Sequence, residues 1–266
     1  MQRVRLSRGL AWERGRQARS AGGMILKNIL FPGSLLSYQS RMKRTPSFVL
    51  ATFILIACLH PAFGAEKKHN FGQWEKEIQA FEASDRTNPP PKHGLLFAGS
   101  STIRKWTTLA QDYPNQPVIR RGVGGCEIVD VTHFADRILF PYEPKMIFFR
   151  AGGNDIANGK SPEDVFADYK EFVATVHARL PDTDIVFISW NPTPSRWAQH
   201  EKEETLNRLV RDFTKQTPHL QYCETSDMVL GKDGKPRPEL FEPDRLHFNA
   251  AGYQLLAARV RPFLPK

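Results

Sequence analysis

Cysteine is scarce in this chain, with three in 266 residues. Cys58 lies in an apolar leader, so only Cys126 and Cys223 belong to the body of the protein. A core of this size needs no disulfide staple, and these two cysteines suit either a pair or free buried thiols. Neither has neighbours at metal-ligand spacing, so no metal is expected. Long hydrophobic runs are missing too. The run over residues 48–59 spans twelve positions, short of the ~18–20 a membrane span requires, so no stable span is expected. No Gly-Lys-Ser/Thr phosphate loop occurs. Gly122-Val123-Gly124-Gly125-Cys126-Glu127 lacks the third glycine of a dinucleotide site. No Asp-x-His stands near the first strand, as a metallophosphatase would need. No organic cofactor is expected.

Net charge is likewise absent from the body. Residues 1–44 hold ten Lys/Arg against the single acid Glu13, which accounts for the whole formal charge of +9. Residues 45–266 are therefore neutral, and no nucleic-acid partner is expected. The basic segment leads through Met42-Lys43-Arg44 into the apolar run, then to Ala62 and Gly64, small residues at the −3 and −1 positions of a peptidase site. A charged start, a short apolar stretch and a small-residue exit describe a secretory signal. The expected division is a basic extension or start-site artefact over 1–41, a signal peptide over 42–65 and one folded domain over 66–266. The product is expected to be secreted or periplasmic. Leu55-Ile56-Ala57-Cys58 also has the form of a bacterial lipobox, which would leave the protein lipid-anchored through Cys58.

What is present is a regular alternation. Apolar runs over 94–98, 117–119, 145–149, 184–189 and 220–223 read as buried strands. Helical patterns cover 74–81, 128–139, 161–180, 196–215 and 250–263. Ser161-Pro162-Glu163-Asp164 opens one helix with a cap, a first-turn proline and acids against the dipole, and Asn249 caps the last. Strands apolar throughout, each followed by a helix, predict a parallel sheet covered on both faces. The expected fold is a three-layer α/β/α sandwich with a central parallel sheet of about five strands in flavodoxin-like order.

Ligands of such sheets sit at the carboxyl ends of the strands. There the sequence places Gly99-Ser100-Ser101, then Gly122-Val123-Gly124-Gly125, then Gly153-Asn154-Asp155. Pro243-Asp244-Arg245-Leu246-His247 falls before the last helix. A serine hydroxyl is a poor nucleophile until a base takes its proton, and a histidine oriented by a carboxylate does this. Asp244 and His247, three apart, form such a pair. The oxyanion of an acyl-transfer intermediate needs donors fixed in advance; the N–H of Ser101, the N–H of Gly125 and the Asn154 amide would supply them. Trp190, Arg196 and Trp197 follow the fourth strand as candidate substrate contacts.

These blocks, in this order over residues 94–256, resemble the SGNH or GDSL-type hydrolases. The resemblance implies Ser101, rather than Ser100, as nucleophile, Gly125 and Asn154 as oxyanion donors, and Asp244 and His247 as the rest of the triad. Ser100 replaces the family's usual Asp, and Arg120 stands where an Asn is common. Gly99-Ser100-Ser101-Thr102-Ile103-Arg104 with Pro194-Ser195-Arg196-Trp197 looks most similar to platelet-activating-factor acetylhydrolase-like members and bacterial carbohydrate esterases. The implied function is a serine esterase acting on small acyl esters, above all acetyl, on a small molecule or polysaccharide. The alternatives are a phospholipid or general short-chain acylhydrolase, and a non-catalytic glycan-binding descendant. The sequence leaves the oligomeric state open.

Overall fold

The computed structural model describes residues 69–265; the expected extension over 1–41, the expected signal peptide over 42–65 and Cys58 lie outside them. A short 3-10 turn, Phe71–Trp74, leads into α1 (Glu75–Thr87), whose i, i+3 positions turn Ile78 and Phe81 inward. After the prolines at 89–91 come β1 (Leu95–Gly99), α2 (Ser101–Lys105), α3 (Leu109–Asp112) and β2 (Val118–Gly122). Next are α4 (Ile128–His133), α5 (Ala135–Ile138), β3 (Met146–Arg150), α6 (Gly153–Ala157), α7 (Pro162–Arg179) and β4 (Asp184–Ile188). The chain ends with α8 (His200–Thr214), β5 (Leu220–Cys223) and α9 (Ala250–Val260).

The five strands are all parallel, in the order β2-β1-β3-β4-β5. Alternate residues feed opposite layers, as strand geometry requires. Leu96, Ala98, Ile147, Phe149, Ile185 and Phe187 point into the core under α1, α4, α7 and α8. Leu95, Phe97, Met146, Phe148, Val186 and Ile188 point into the core under α2, α3 and α9. On the central strands β1, β3 and β4 both faces are buried, which is why their runs carry no polar alternation. Aromatic stacking fills both layers: Phe149 lies 4.0 Å from Phe172, and Phe97 lies 4.5 Å from Phe148.

Four helices differ in extent from the sequence pattern, the first because α1 runs on past Phe81 to Thr87, just before the prolines. The stretch 128–139 bends at Phe134 into two short helices rather than one. The stretch from 196 opens with a 3-10 turn, Pro194–Gln199, because the Thr193 hydroxyl caps the Arg196 N–H and Arg196 leaves helical geometry. The last helix stops at Val260, where Pro262 removes a backbone donor and 3-10 geometry takes over. Ser161 and Asn249 cap as expected, accepting from the N–H groups of Asp164 and Gly252.

Strand β1 has β2 on one side and β3 on the other, so the connections from β1 and from β3 diverge. Such a switch point opens a crevice at the carboxyl edge. Ser101 follows β1 there, and Asn154 follows β3.

Candidate active site

Strand β1 ends at Gly99 in a conformation, φ +139°, that only glycine adopts readily. A Cβ at this position would lie 2.0 Å from the Arg150 carbonyl oxygen of β3. The sharp turn lets the Ser100 N–H donate to that same carbonyl at 3.0 Å and starts α2 at Ser101. The Ser101 N–H, in the first turn of a helix, has no intrahelical acceptor.

The partner of Ser101 comes from 146 positions away. His247 Nε2 lies 2.8 Å from Ser101 Oγ, and His247 Nδ1 lies 2.6 Å from Asp244 Oδ2. The other Asp244 oxygen accepts the backbone N–H groups of Leu246 and His247, both at 2.9 Å. That tight turn requires Arg245 at φ +57°, a strained value for a residue with a side chain. An antiparallel bridge between Phe241 and Phe248 closes the base of the loop. Burial at the cleft disfavours the Asp244 carboxylate, but the hydrogen bonds from the His247 ring and the two backbone N–H groups outweigh it. They hold its carboxyl well below the usual range. An ionised Asp244 accepts from Nδ1–H, so the neutral imidazole presents a bare Nε2, an acceptor for the Ser101 hydroxyl.

The side chain of Asn154 faces the same cleft from α6. Its Nδ2 donates to the Cys126 carbonyl at 3.0 Å, and its Oδ1 accepts from Arg196. The loop that carries Gly125 is gripped by α6 and its flank. Asp155 Oδ1 accepts the Ile128 N–H at 3.2 Å, and Asn158 Nδ2 donates to Glu127 Oε1 at 2.7 Å. Lys160 reaches Glu127 at 2.8 Å. Gly125 itself is exposed at φ +82°, with Trp74 packed beside it.

The cleft around Ser101 is lined by Asn154, Trp190, Arg196 and His247, with Ser100 and Thr193 beside them. Gly125 and Trp197 are not among its lining residues. Trp190 is buried: its Nε1 donates to the Ala151 carbonyl at 2.9 Å, and its ring fills the space beside Gly153. Trp197 is 38% exposed and stacks on His200 at 4.7 Å. Free space in the cleft amounts to about 20 Å³. A wider crevice of about 730 Å³ opens on the other side of Asp244, bordered by Lys105, Thr107, Thr108 and Gln254.

Two buried charged groups, Arg150 at the cleft and Glu203 on α8, belong to none of the sequence blocks. Arg150, fully buried, donates to the Ser189 carbonyl and to Asn191 Oδ1, and its guanidinium lies 4.5 Å from the Trp190 ring. Burial pushes its pKa down to about 10. Burial pushes the Glu203 carboxyl up to about 7, with Arg150 and Arg196 pulling the other way. Their signals were present: a charge closing an apolar strand run, and an acid on the same stripe of α8 as Leu206 and Val210. Arg120, at the unusual position of the second block, donates to the Trp106 carbonyl at 2.9 Å. Cys126 and Cys223 are both buried free thiols. Among the described residues no cluster of three or more His, Cys, Asp or Glu is placed to hold a metal. No helix of the described residues is long and apolar enough to cross a membrane.

Comparison with known proteins bears on this arrangement. The model of the GDSL-like Lipase/Acylhydrolase family matches residues 91–255. No curated protein matches the chain. Among solved structures, a protein from Streptococcus pneumonia, provisionally named a platelet activating factor, aligns at TM-score 0.65 and 20% identity. The alignment covers 73% of this chain and 94% of that one. A GDSL-like lipase from Bacteroides thetaiotaomicron aligns at TM-score 0.58 and 17% identity, over 73% of this chain and 96% of that one. An acetylxylan esterase from Geobacillus stearothermophilus aligns at TM-score 0.52 and 14% identity, over 64% and 94%. At these identities the likeness establishes the three-layer α/β/α fold.

Proposed function

Since this chain belongs to the GDSL-like lipase/acylhydrolase family and is an ester hydrolase, we propose that it removes acetyl groups from carbohydrate esters through a Ser101–His247–Asp244 triad. One observation carries the reading: an unbroken hydrogen-bonded chain, Asp244 to His247 to Ser101, at 2.6 and 2.8 Å. In this reading Ser101 Oγ attacks the ester carbonyl carbon while His247 Nε2 takes its proton. The tetrahedral oxyanion is received by the Ser101 N–H and the Asn154 amide; the Gly125 N–H, on the exposed loop held by α6, would be the third donor. As it collapses, the C–O bond to the alcohol breaks and His247 returns the proton to the leaving oxygen. Water, activated by the same imidazole, then releases acetate from Ser101, and Asp244 balances the imidazolium in both halves.

The size of the cleft supports a short acyl group. About 20 Å³ is little more than the volume one water-sized group needs, which suits a methyl and crowds a longer chain. The open, polar-edged crevice beside Asp244 supports a large hydrophilic alcohol such as a saccharide. An exported protein would meet such substrates outside the cytoplasm, in keeping with the leader over 42–65. The complete triad speaks against a glycan-binding descendant.

The test is Ser101→Ala, which should lower turnover of p-nitrophenyl acetate by about 10⁴-fold or more with the fold intact. Fluorophosphonate should label the native chain at Ser101 and leave the variant unlabelled. Activity surviving in Ser101→Ala would overturn the triad. p-Nitrophenyl acetate set against p-nitrophenyl butyrate tests the acyl group, and preference for the butyrate would overturn the acetyl reading. Acetate release from acetylated xylan tests the alcohol, and its absence would overturn the carbohydrate reading.

A further inference from the structure

We infer that Arg196 is a positioning residue for the oxyanion site: it locks the Asn154 amide in the one orientation that leaves an N–H for the oxyanion. This rests on the reading of Asn154 as an oxyanion donor. Both terminal nitrogens of Arg196 donate to Asn154 Oδ1, at 3.2 and 3.1 Å, and one donates also to the Gly153 carbonyl at 3.2 Å. A guanidinium has no acceptor, so the amide must turn its oxygen toward it. A carbonyl has no donor, so the amide must turn its nitrogen toward Cys126. The two ends agree, and the flip state of Asn154 is fixed from both sides. One of the two amide hydrogens is used by Cys126, and the other remains.

The support for Arg196 is built rather than incidental. Its own N–H donates to the Thr193 hydroxyl at 3.2 Å, and the neighbouring Ser195 N–H donates to the Arg245 carbonyl at 3.1 Å. Arg245 lies between Asp244 and His247, so the turn that aims Arg196 is fastened to the loop that aims the base. The positive charge also polarises the amide, and in a half-buried site this strengthens the remaining N–H as a donor. Burial disfavours the Arg196 charge, and the acid Glu203 on α8 opposes that effect. Without Arg196 the Asn154 amide loses its oxygen-side anchor and is free to rotate its N–H away from the cleft.

The experiment is a double-mutant cycle on the full-length protein with p-nitrophenyl acetate. Arg196→Met should lower kcat roughly 10- to 100-fold with KM changed by no more than about two-fold. Arg196→Lys, which keeps the charge but not the fork, should fall between, and it carries the test if the Met variant fails to fold. In an Asn154→Ala background, Arg196→Met should cost no more than about a further two-fold, because both changes remove one function. An equal loss in both backgrounds, or a raised KM with unchanged kcat, would overturn the inference in favour of a direct substrate contact. Unchanged kinetics in Arg196→Met would overturn it too. If Asn154→Ala alone leaves kcat intact, the oxyanion reading itself is at fault.

Discussion

Asp244 holds His247 at two points, with Oδ2 2.6 Å from the ring Nδ1 and Oδ1 accepting the backbone N–H of the same residue at 2.9 Å. One carboxylate thus sets both the path of the loop and the tautomer of the ring it carries. Asp244→Asn separates these roles. An amide oxygen can still accept the backbone N–H groups, but the amide nitrogen would face Nδ1 and force the proton onto Nε2. His247 would then have nothing with which to accept the Ser101 proton. Turnover of p-nitrophenyl acetate should fall by about 10³- to 10⁴-fold at little change in KM. A loss below ten-fold in steady-state kinetics would mean that the pair is not the base.

Gly99 shows how the backbone pays for placing Ser101. Its φ of +139° and the Arg150 carbonyl 2.0 Å from any added Cβ leave no room for a side chain. The carbonyl belongs to a central strand and cannot withdraw. Gly99→Ala should therefore destabilise by about 3 kcal/mol or more, seen as a fall in Tm of roughly 10 °C. An unaltered Tm in thermal unfolding would contradict this packing.

Stability should depend on pH through Asp155. Its carboxyl is fully buried, with one oxygen unpartnered, and burial pushes its pKa up to about 7 despite Lys160 at 3.5 Å. Unfolded, it would ionise near ~3.9. A group with a raised native pKa contributes most below its unfolded pKa, and that contribution is lost as pH rises through the native one. The protein should therefore lose stability, on the order of a few kcal/mol from this group, between about pH 4 and 7. Glu203 acts in the same direction, with its carboxyl raised to about 7. Asp155→Asn should flatten the fall of Tm measured from pH 5 to 8; equal slopes in the two proteins would refute it.

How far the sequence led differs between elements. The central strands β1, β3 and β4 are legible because they are buried on both faces, whereas β2 runs on past the apolar 117–119 through Arg120 and Arg121. The order of Ser101, Gly125, Asn154 and the Asp244/His247 pair points to one sheet edge. The helix breaks at Phe134 and Arg196 were not legible, since they follow from tertiary contacts and a Thr193 cap rather than from periodicity. Arg196 stood out as a substrate contact, while its hydrogen bonds to Asn154 depend on a turn whose path only the fold sets. Arg150 and Glu203 are not legible, because a charge within an apolar pattern gives no hint of its partner. The partners of Arg150, Ser189 and Asn191, follow the next strand, 39 and 41 positions along the chain.

The two tryptophans after β4 look alike in the sequence and separate in the structure. The backbone of Trp190 exchanges hydrogen bonds with the Asn207 amide at 2.9 and 2.8 Å, while its indole N–H donates to Ala151. Its ring lies against Gly153, the residue before Asn154. Removing it leaves a cavity under the Gly152-Gly153-Asn154 turn and frees the amide to shift. Trp190→Ala should cost about 3–5 kcal/mol and lower kcat on p-nitrophenyl acetate as well. Trp197, exposed and stacked on His200, holds nothing beneath the cleft. Trp197→Ala should leave Tm within about 1–2 °C, as a surface change does, and should leave p-nitrophenyl acetate kinetics unchanged. Thermal unfolding and kinetics of both variants, run side by side, check the contrast. If Trp197→Ala slows the small ester as much as Trp190→Ala does, the exposed ring reaches the reacting group and the assignment of the cleft walls is wrong.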